Sequence, residues 1–177
     1  MDAMTIFLSE DNILIHKEYM RTLRLRHSIF EKSIPEIKDK SVLEIEKMRL
    51  EPSVKSDILH NLKEYCAHYL YFNSFGPTGS IPPIIKKCYS SVESFLYEVY
   101  LVASKKDGGF VYVFSDGNNT IKILHSDDIR KKLSLPRLAI DISEHAYFLD
   151  YRFEKDKYIR SAISNLNISL LDNYQNK

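Results

Sequence analysis

Asp141-Ile142-Ser143-Glu144-His145-Ala146-Tyr147-Phe148-Leu149-Asp150-Tyr151 is the stretch that decides how this chain folds. The residues leading into it, Leu138 to Ile142, are apolar and partly β-branched and read as a strand, whereas Ala146 to Asn173 reads as mostly helical. Asp141 and His145 therefore stand on either side of a sharp change in chain direction, where a carboxylate and an imidazole can converge on a cation. The same pair can equally be a helix cap beside a packed histidine.

Working outward, the N-terminal half is helical. From Asn12 to Lys32 the residues Ile13, His16, Met20, Leu23, His27 and Phe30 recur at helical spacing, so one long amphipathic helix carries two inward-facing histidines. Pro35 ends that pattern, and a short helix over Ser41 to Arg49 is bounded by Pro52. A third helix runs to about Asn73, with an apolar stripe of Ile58, Leu62, Tyr65, Tyr69 and Phe72. A polar stripe of Asp57, Asn61, Glu64 and His68 lies beside it. Burying an imidazole such as His16 or His68 without a partner costs about 1–3 kcal/mol, so each needs a ligand or a hydrogen bond.

Gly76-Pro77-Thr78-Gly79-Ser80-Ile81-Pro82-Pro83 is the strongest break in the chain. It predicts a helical N-terminal domain over residues 1–76 and an α/β C-terminal domain over residues 77–177. In the latter, Ser91 to Ser104 reads as a helix, and Phe110 to Phe114 and Thr120 to His125 as strands of a hairpin turned by Asp116-Gly117-Asn118-Asn119. Period-two alternation puts Ile121, Ile123 and His125 on one buried face.

Composition narrows the function classes. A net charge of +1 offers no field to hold nucleic acid, so no nucleic-acid partner is expected. Met1 to Asn12 has no apolar run preceded by basic residues, so neither a secretory signal nor a membrane partner is expected. Cys66, read as a packed helical residue, and Cys88, read in a loop, make no disulfide framework, and the expected compartment is the cytoplasm. Three imidazoles and one carboxylate, His16, His68, Asp141 and His145, suit iron, manganese or zinc rather than calcium.

Asp141 to Tyr151 closely resembles the signature of the iron/manganese superoxide dismutases, an Asp-x-Trp-Glu-His-Ala-Tyr-Tyr pattern. Ala67-His68-Tyr69-Leu70-Tyr71-Phe72-Asn73-Ser74 resembles that family's Asn-His-x-x-x-Trp-x-Ser segment, and His16 stands on the first long helix where the family places its first ligand. Tyr158-Ile159 and the following helix resemble its C-terminal end. The resemblance implies an α+β fold, with an N-terminal long-helix hairpin followed by an α/β domain holding a small three-stranded antiparallel sheet. It implies one iron or manganese ion per chain on His16, His68, Asp141, His145 and a solvent molecule, with superoxide as the substrate and oxygen and hydrogen peroxide as the products. Glu144 matches the glutamate that touches the partner subunit's ligand histidine, here the partner subunit's His145, so a homodimer is implied.

Several surrounding positions depart from the family. Arg24 stands where a tyrosine usually guards the substrate channel, Met20 replaces a histidine, and Phe148 replaces the tyrosine which that histidine contacts across the dimer. Phe72, Phe110, Tyr112 and Ser143 occupy positions rich in tryptophan in the family, and this chain has no tryptophan. Glu64 takes the place of the glutamine that holds the solvent in iron enzymes, while His125 is the nearest polar candidate from the sheet for that role. Arg24, Glu64 and His125 are thus the expected catalytic neighbours of the metal. The first reading is a superoxide dismutase; its alternative is a dismutase-fold structural or binding protein that keeps the metal with little or no turnover.

Overall fold

The computed structural model describes residues 3–115, 120–129 and 135–172. By packing, Leu14–Tyr69 forms one unit, and the described residues up to Ile13 with those from Leu70 onward form another.

Helix α1 spans Glu10–Ser33. The Ser9 hydroxyl accepts the Asn12 N–H at 3.2 Å, and Glu10 and Asp11 complement the positive end of the helix dipole. The helix stops before Ile34-Pro35, because a residue preceding proline is driven away from helical geometry. Short α2, Val42–Lys47, begins at a capping box in which Ser41 and Glu44 satisfy each other's backbone N–H groups. Helix α3 spans Pro52–Asn73, and its first proline loses no hydrogen bond at a position where the N–H has no intrahelical partner.

In the helical unit Ile37, Ile45 and Ile58 are fully buried, and Phe30, Ile34, Met48, Leu50, Val54, Leu59 and Leu62 close around them. Higher up, the Asn61 side chain donates to the Leu23 carbonyl at 2.9 Å, which ties α3 to α1. His16 and His68 are buried on these two helices, as their periodicity predicts.

The other unit is built on a three-stranded antiparallel sheet in the order β2-β1-β3, with β1 Phe110–Ser115, β2 Ile121–His125 and β3 Pro136–Asp141. Ile123 and His125 are buried and Lys122 is exposed, as the alternation requires. The turn residues Asp116 to Asn119 lie outside the described residues. Register pairs Phe110 with Asp141, so the start of β1 holds the end of β3. Helix α5, Val92–Ser104, buries Phe95, Val99 and Ala103 one turn apart and packs on α7, Lys155–Ser164, and on the sheet.

Two local expectations are corrected, for Cys88 and Cys66, and a third, the mostly helical stretch after Ala146, is borne out and refined. The proline-rich break ends at Pro83, which opens a short helix α4, Pro83–Cys88, so Cys88 is helical rather than in a loop. The stretch after Ala146 is broken in two: α6, Glu144–Tyr151, stops at Arg152, whose φ of 53° is left-handed. Cys66 is exposed, not packed. The first turn of α1 is anchored on α6, the Asn12 side chain donating to the Ala146 carbonyl at 3.2 Å and to Asp150 Oδ2 at 2.9 Å.

Candidate metal centre

Each unit carries one pair of the expected donors. In the helical unit the His16 and His68 rings lie 6.1 Å apart between centroids, with exposures of 1% and 0%. Tyr19 presents an edge to His68 with 5.1 Å between centroids. The Nδ1–H of His68 donates to the Glu64 carbonyl at 2.8 Å, because a carbonyl can only accept. That bond fixes the tautomer and turns the Nε2 lone pair away from α3's own backbone, the form in which a histidine binds a metal.

In the sheet unit Asp141 is the last residue of β3 and has no exposed surface. His145, second residue of α6, is half-exposed, and its Nε2 lies 3.0 Å from Asp141 Oδ2. A strand end running straight into a helix start brings these two side chains together. Below them, the Tyr158 hydroxyl donates to the Asp141 carbonyl at 2.6 Å. Tyr71 therefore donates to the Tyr158 oxygen, 2.9 Å away. Burial, reinforced by the Asp141 charge, holds both phenols well above the ordinary tyrosine pKa, so they stay protonated donors.

Imidazole and carboxylate donors of this kind suit a redox-active transition metal; His16, His68 and Asp141 are buried, and His68 and Asp141 each have a second atom held by a neighbour, Nδ1 by the Glu64 carbonyl and Oδ1 by the Ser143 N–H. Glu64 keeps its carboxylate beside His68, with Oε2 at 3.9 Å from Nδ1 and 30% of the side chain exposed. Arg24 is exposed on a groove it shares with His27, Ser28, Glu31, Leu62 and Tyr65, and among the described residues it does not pair with Glu64. His125 has both ring nitrogens engaged at the corner of its sheet: Nε2–H donates to the Gly108 carbonyl at 2.6 Å, and Nδ1 accepts the Asp127 N–H at 3.1 Å. Sequence reasoning missed Tyr71 and Tyr158 because nothing in their local spacing distinguishes a buried hydrogen-bonding tyrosine from an ordinary core aromatic.

The model of the iron/manganese superoxide dismutase C-terminal domain matches residues 77–173, more than half of the chain. The chain belongs to the iron/manganese superoxide dismutase family. It is 26% identical over 141 residues to an iron superoxide dismutase of Nostoc, covering 74% of this chain and 70% of that protein. With an iron superoxide dismutase of Synechococcus elongatus the identity is 30% over 122 residues, covering 63% of this chain and 60% of that one. A similarity to an iron superoxide dismutase of Plasmodium falciparum, 25% over 174 residues, covers 91% and 84% of the two chains.

In this superoxide dismutase family member, removing the Tyr158 hydroxyl deletes two buried bonds at once. Tyr158→Phe is expected to lower stability by about 1–3 kcal/mol. At about 2–4 °C per kcal/mol for a chain of this size, the fall in melting temperature is readily measured by calorimetry.

Proposed function

We propose that His16, His68, Asp141 and His145 hold one metal ion between them and that the protein dismutates superoxide. The observations that carry this reading are a buried, oriented histidine, His68, and a buried Asp141 whose Oδ2 meets His145, in a chain of this family. His16, Asp141 and His145 each offer one further ligand atom. Iron is the proposed metal, since the relatives above are named for it.

Held by these residues, such an ion would supply one-electron chemistry between its two- and three-valent states, the chemistry by which superoxide is converted to oxygen and hydrogen peroxide. The residues do the rest. The Glu64 carbonyl holds the His68 Nδ1–H and leaves Nε2 as the ligand atom, and the Asp141 carboxylate offsets part of the positive charge. Because both His125 nitrogens are engaged, the Glu64 carboxylate takes the role of holding solvent by accepting its hydrogen bond. Exposed Arg24 adds a fixed positive charge that attracts an anionic substrate, but a guanidinium relays no proton.

The homodimer belongs to the same proposal. Glu144 and the half-exposed His145 open α6, followed on its exposed side by Phe148, Leu149 at 40% and, just beyond, Phe153 at 91% exposure. Two copies meeting there would cover this apolar surface and seat Glu144 against the partner subunit's His145. Cytoplasmic residence is proposed on the two free thiols, one of them exposed. Among the described residues no helix is long and apolar enough to cross a membrane.

Protein purified from cells supplied with iron and manganese is expected to carry about one transition metal per chain, with His68→Ala and Asp141→Ala losing most of it. Dismutation should follow the metal content. A native protein without metal, indifferent in thermal stability to added iron, manganese or zinc, contradicts the reading; a fully loaded protein without turnover replaces it with the binding-protein alternative. Sedimentation should show a dimer at micromolar concentration that Glu144→Ala weakens by at least about tenfold, the effect of losing a charge-assisted bond twice over. A wild-type monomer there contradicts the interface.

A further inference from the structure

Ser143 occupies the N-cap of α6, the position at which serine ordinarily accepts a bond from the first turn of its helix, yet its side chain makes no capping bond. The hydroxyl is turned the other way. Its Oγ accepts the Gly109 N–H at 3.0 Å and lies 3.5 Å from the Gly109 carbonyl oxygen. That same carbonyl accepts the Ile142 N–H at 2.9 Å, so Gly109 grips the chain on both residues that follow Asp141.

Meanwhile the backbone N–H of Ser143 donates to Asp141 Oδ1 at 2.9 Å, closing a turn of the kind that short acidic side chains make with the residue two positions on. With Oδ1 held, the rotation of the carboxylate is set, and Oδ2 is the oxygen that faces His145 Nε2 at 3.0 Å. The orientation of Asp141 thus depends on where the Ser143 peptide sits, and the Ser143 hydroxyl is what pins that peptide to Gly109.

The plate on the far side is rigid. Gly108 receives the His125 Nε2–H bond at 2.6 Å, and Gly109 has φ of +88°, in the left-handed region. A Cβ on Gly109 would lie 2.7 Å from Ser126 Oγ and 2.9 Å from His125 Nε2, so the loop is pressed against both. His125 and Ser126 hold the two glycines from one side, and Ser143 draws on them from the other.

We propose that Ser143 is a positioning residue for the metal-binding carboxylate: its hydroxyl, withdrawn from helix capping, locks the Asp141–Ser143 turn onto the Gly108–Gly109 loop and so aims Asp141 Oδ2. The proposal rests on the ligand reading above. In it His125, inside the sheet corner, braces the loop that Ser143 binds.

The test uses the full chain loaded with iron, its dissociation constant measured by competition with a chelator, together with the ferric electron paramagnetic resonance spectrum and the melting temperature of the metal-free form. Ser143→Ala is expected to weaken iron binding by at least about tenfold, the usual lower bound for loss of a group orienting a ligand, and to change the ferric spectrum. Ser143→Thr, which keeps the hydroxyl, should stay within about threefold of wild type, while Ser143→Val, its isostere, should behave like the alanine variant. That Thr and Val pair carries the test should Ser143→Ala fail to fold. Equal iron affinity and identical spectra for Ser143→Thr and Ser143→Val overturn the proposal. Asp141→Ala separates the two levels: loss of iron there with none in Ser143→Val removes only the positioning role, whereas wild-type affinity in Asp141→Ala removes the ligand reading on which it stands.

Discussion

The buried carboxylate of Asp141 is the constraint around which the sheet unit is organised. A charged group with no contact with solvent costs several kcal/mol unless hydrogen bonds and an opposite charge compensate it. Ser143 supplies a backbone N–H, His145 an imidazole nitrogen, and Tyr158, backed by Tyr71, a donor to the carbonyl of the same residue. These compensations set the local architecture. β1 must reach Phe110 to pair with Asp141, α6 must begin within three residues of it, and α7 must present Tyr158 from beneath.

The helical unit answers with the opposite chemistry. His68 is aimed because the backbone one turn earlier holds its Nδ1–H, a bond that a regular helix provides at no conformational cost. Around these candidate ligands several positions depart from the pattern that the resemblance to the family implies. Met20 and Phe148 replace two polar groups expected to face each other, so neither is left unsatisfied. Glu64 brings a negative charge next to His68, while Arg24 brings a positive one that stays in solvent and apart from it.

Much of the fold was legible because burial follows period. The helices α1 and α3, and the buried face of β2 with Ile123 and His125, could be read from spacing alone. What escaped was decided by tertiary contacts. Pro82-Pro83 reads as a breaker, but a proline at the first helical position is compatible with a helix, and Ile84 and Ile85 have a core to enter. Arg152 adopts a left-handed conformation that its residue type does not announce. At the candidate site, burial of His16 and His68 followed from their helix faces, whereas the burial of Asp141 was not announced by its spacing, and the service of His125 as a sheet-corner brace and the diversion of the Ser143 hydroxyl depend on Gly108 and Gly109, more than ten residues away in sequence from either.

The proposal that His16, His68, Asp141 and His145 hold a single ion is tested most directly by anomalous diffraction from crystals of the iron-loaded protein, collected on either side of the iron absorption edge. One anomalous peak per chain is predicted, at roughly 2.0–2.3 Å from a nitrogen of each of His16, His68 and His145 and from an oxygen of Asp141. A peak held by other residues, or a peak bound by only the His16 and His68 pair or only the Asp141 and His145 pair, would contradict it.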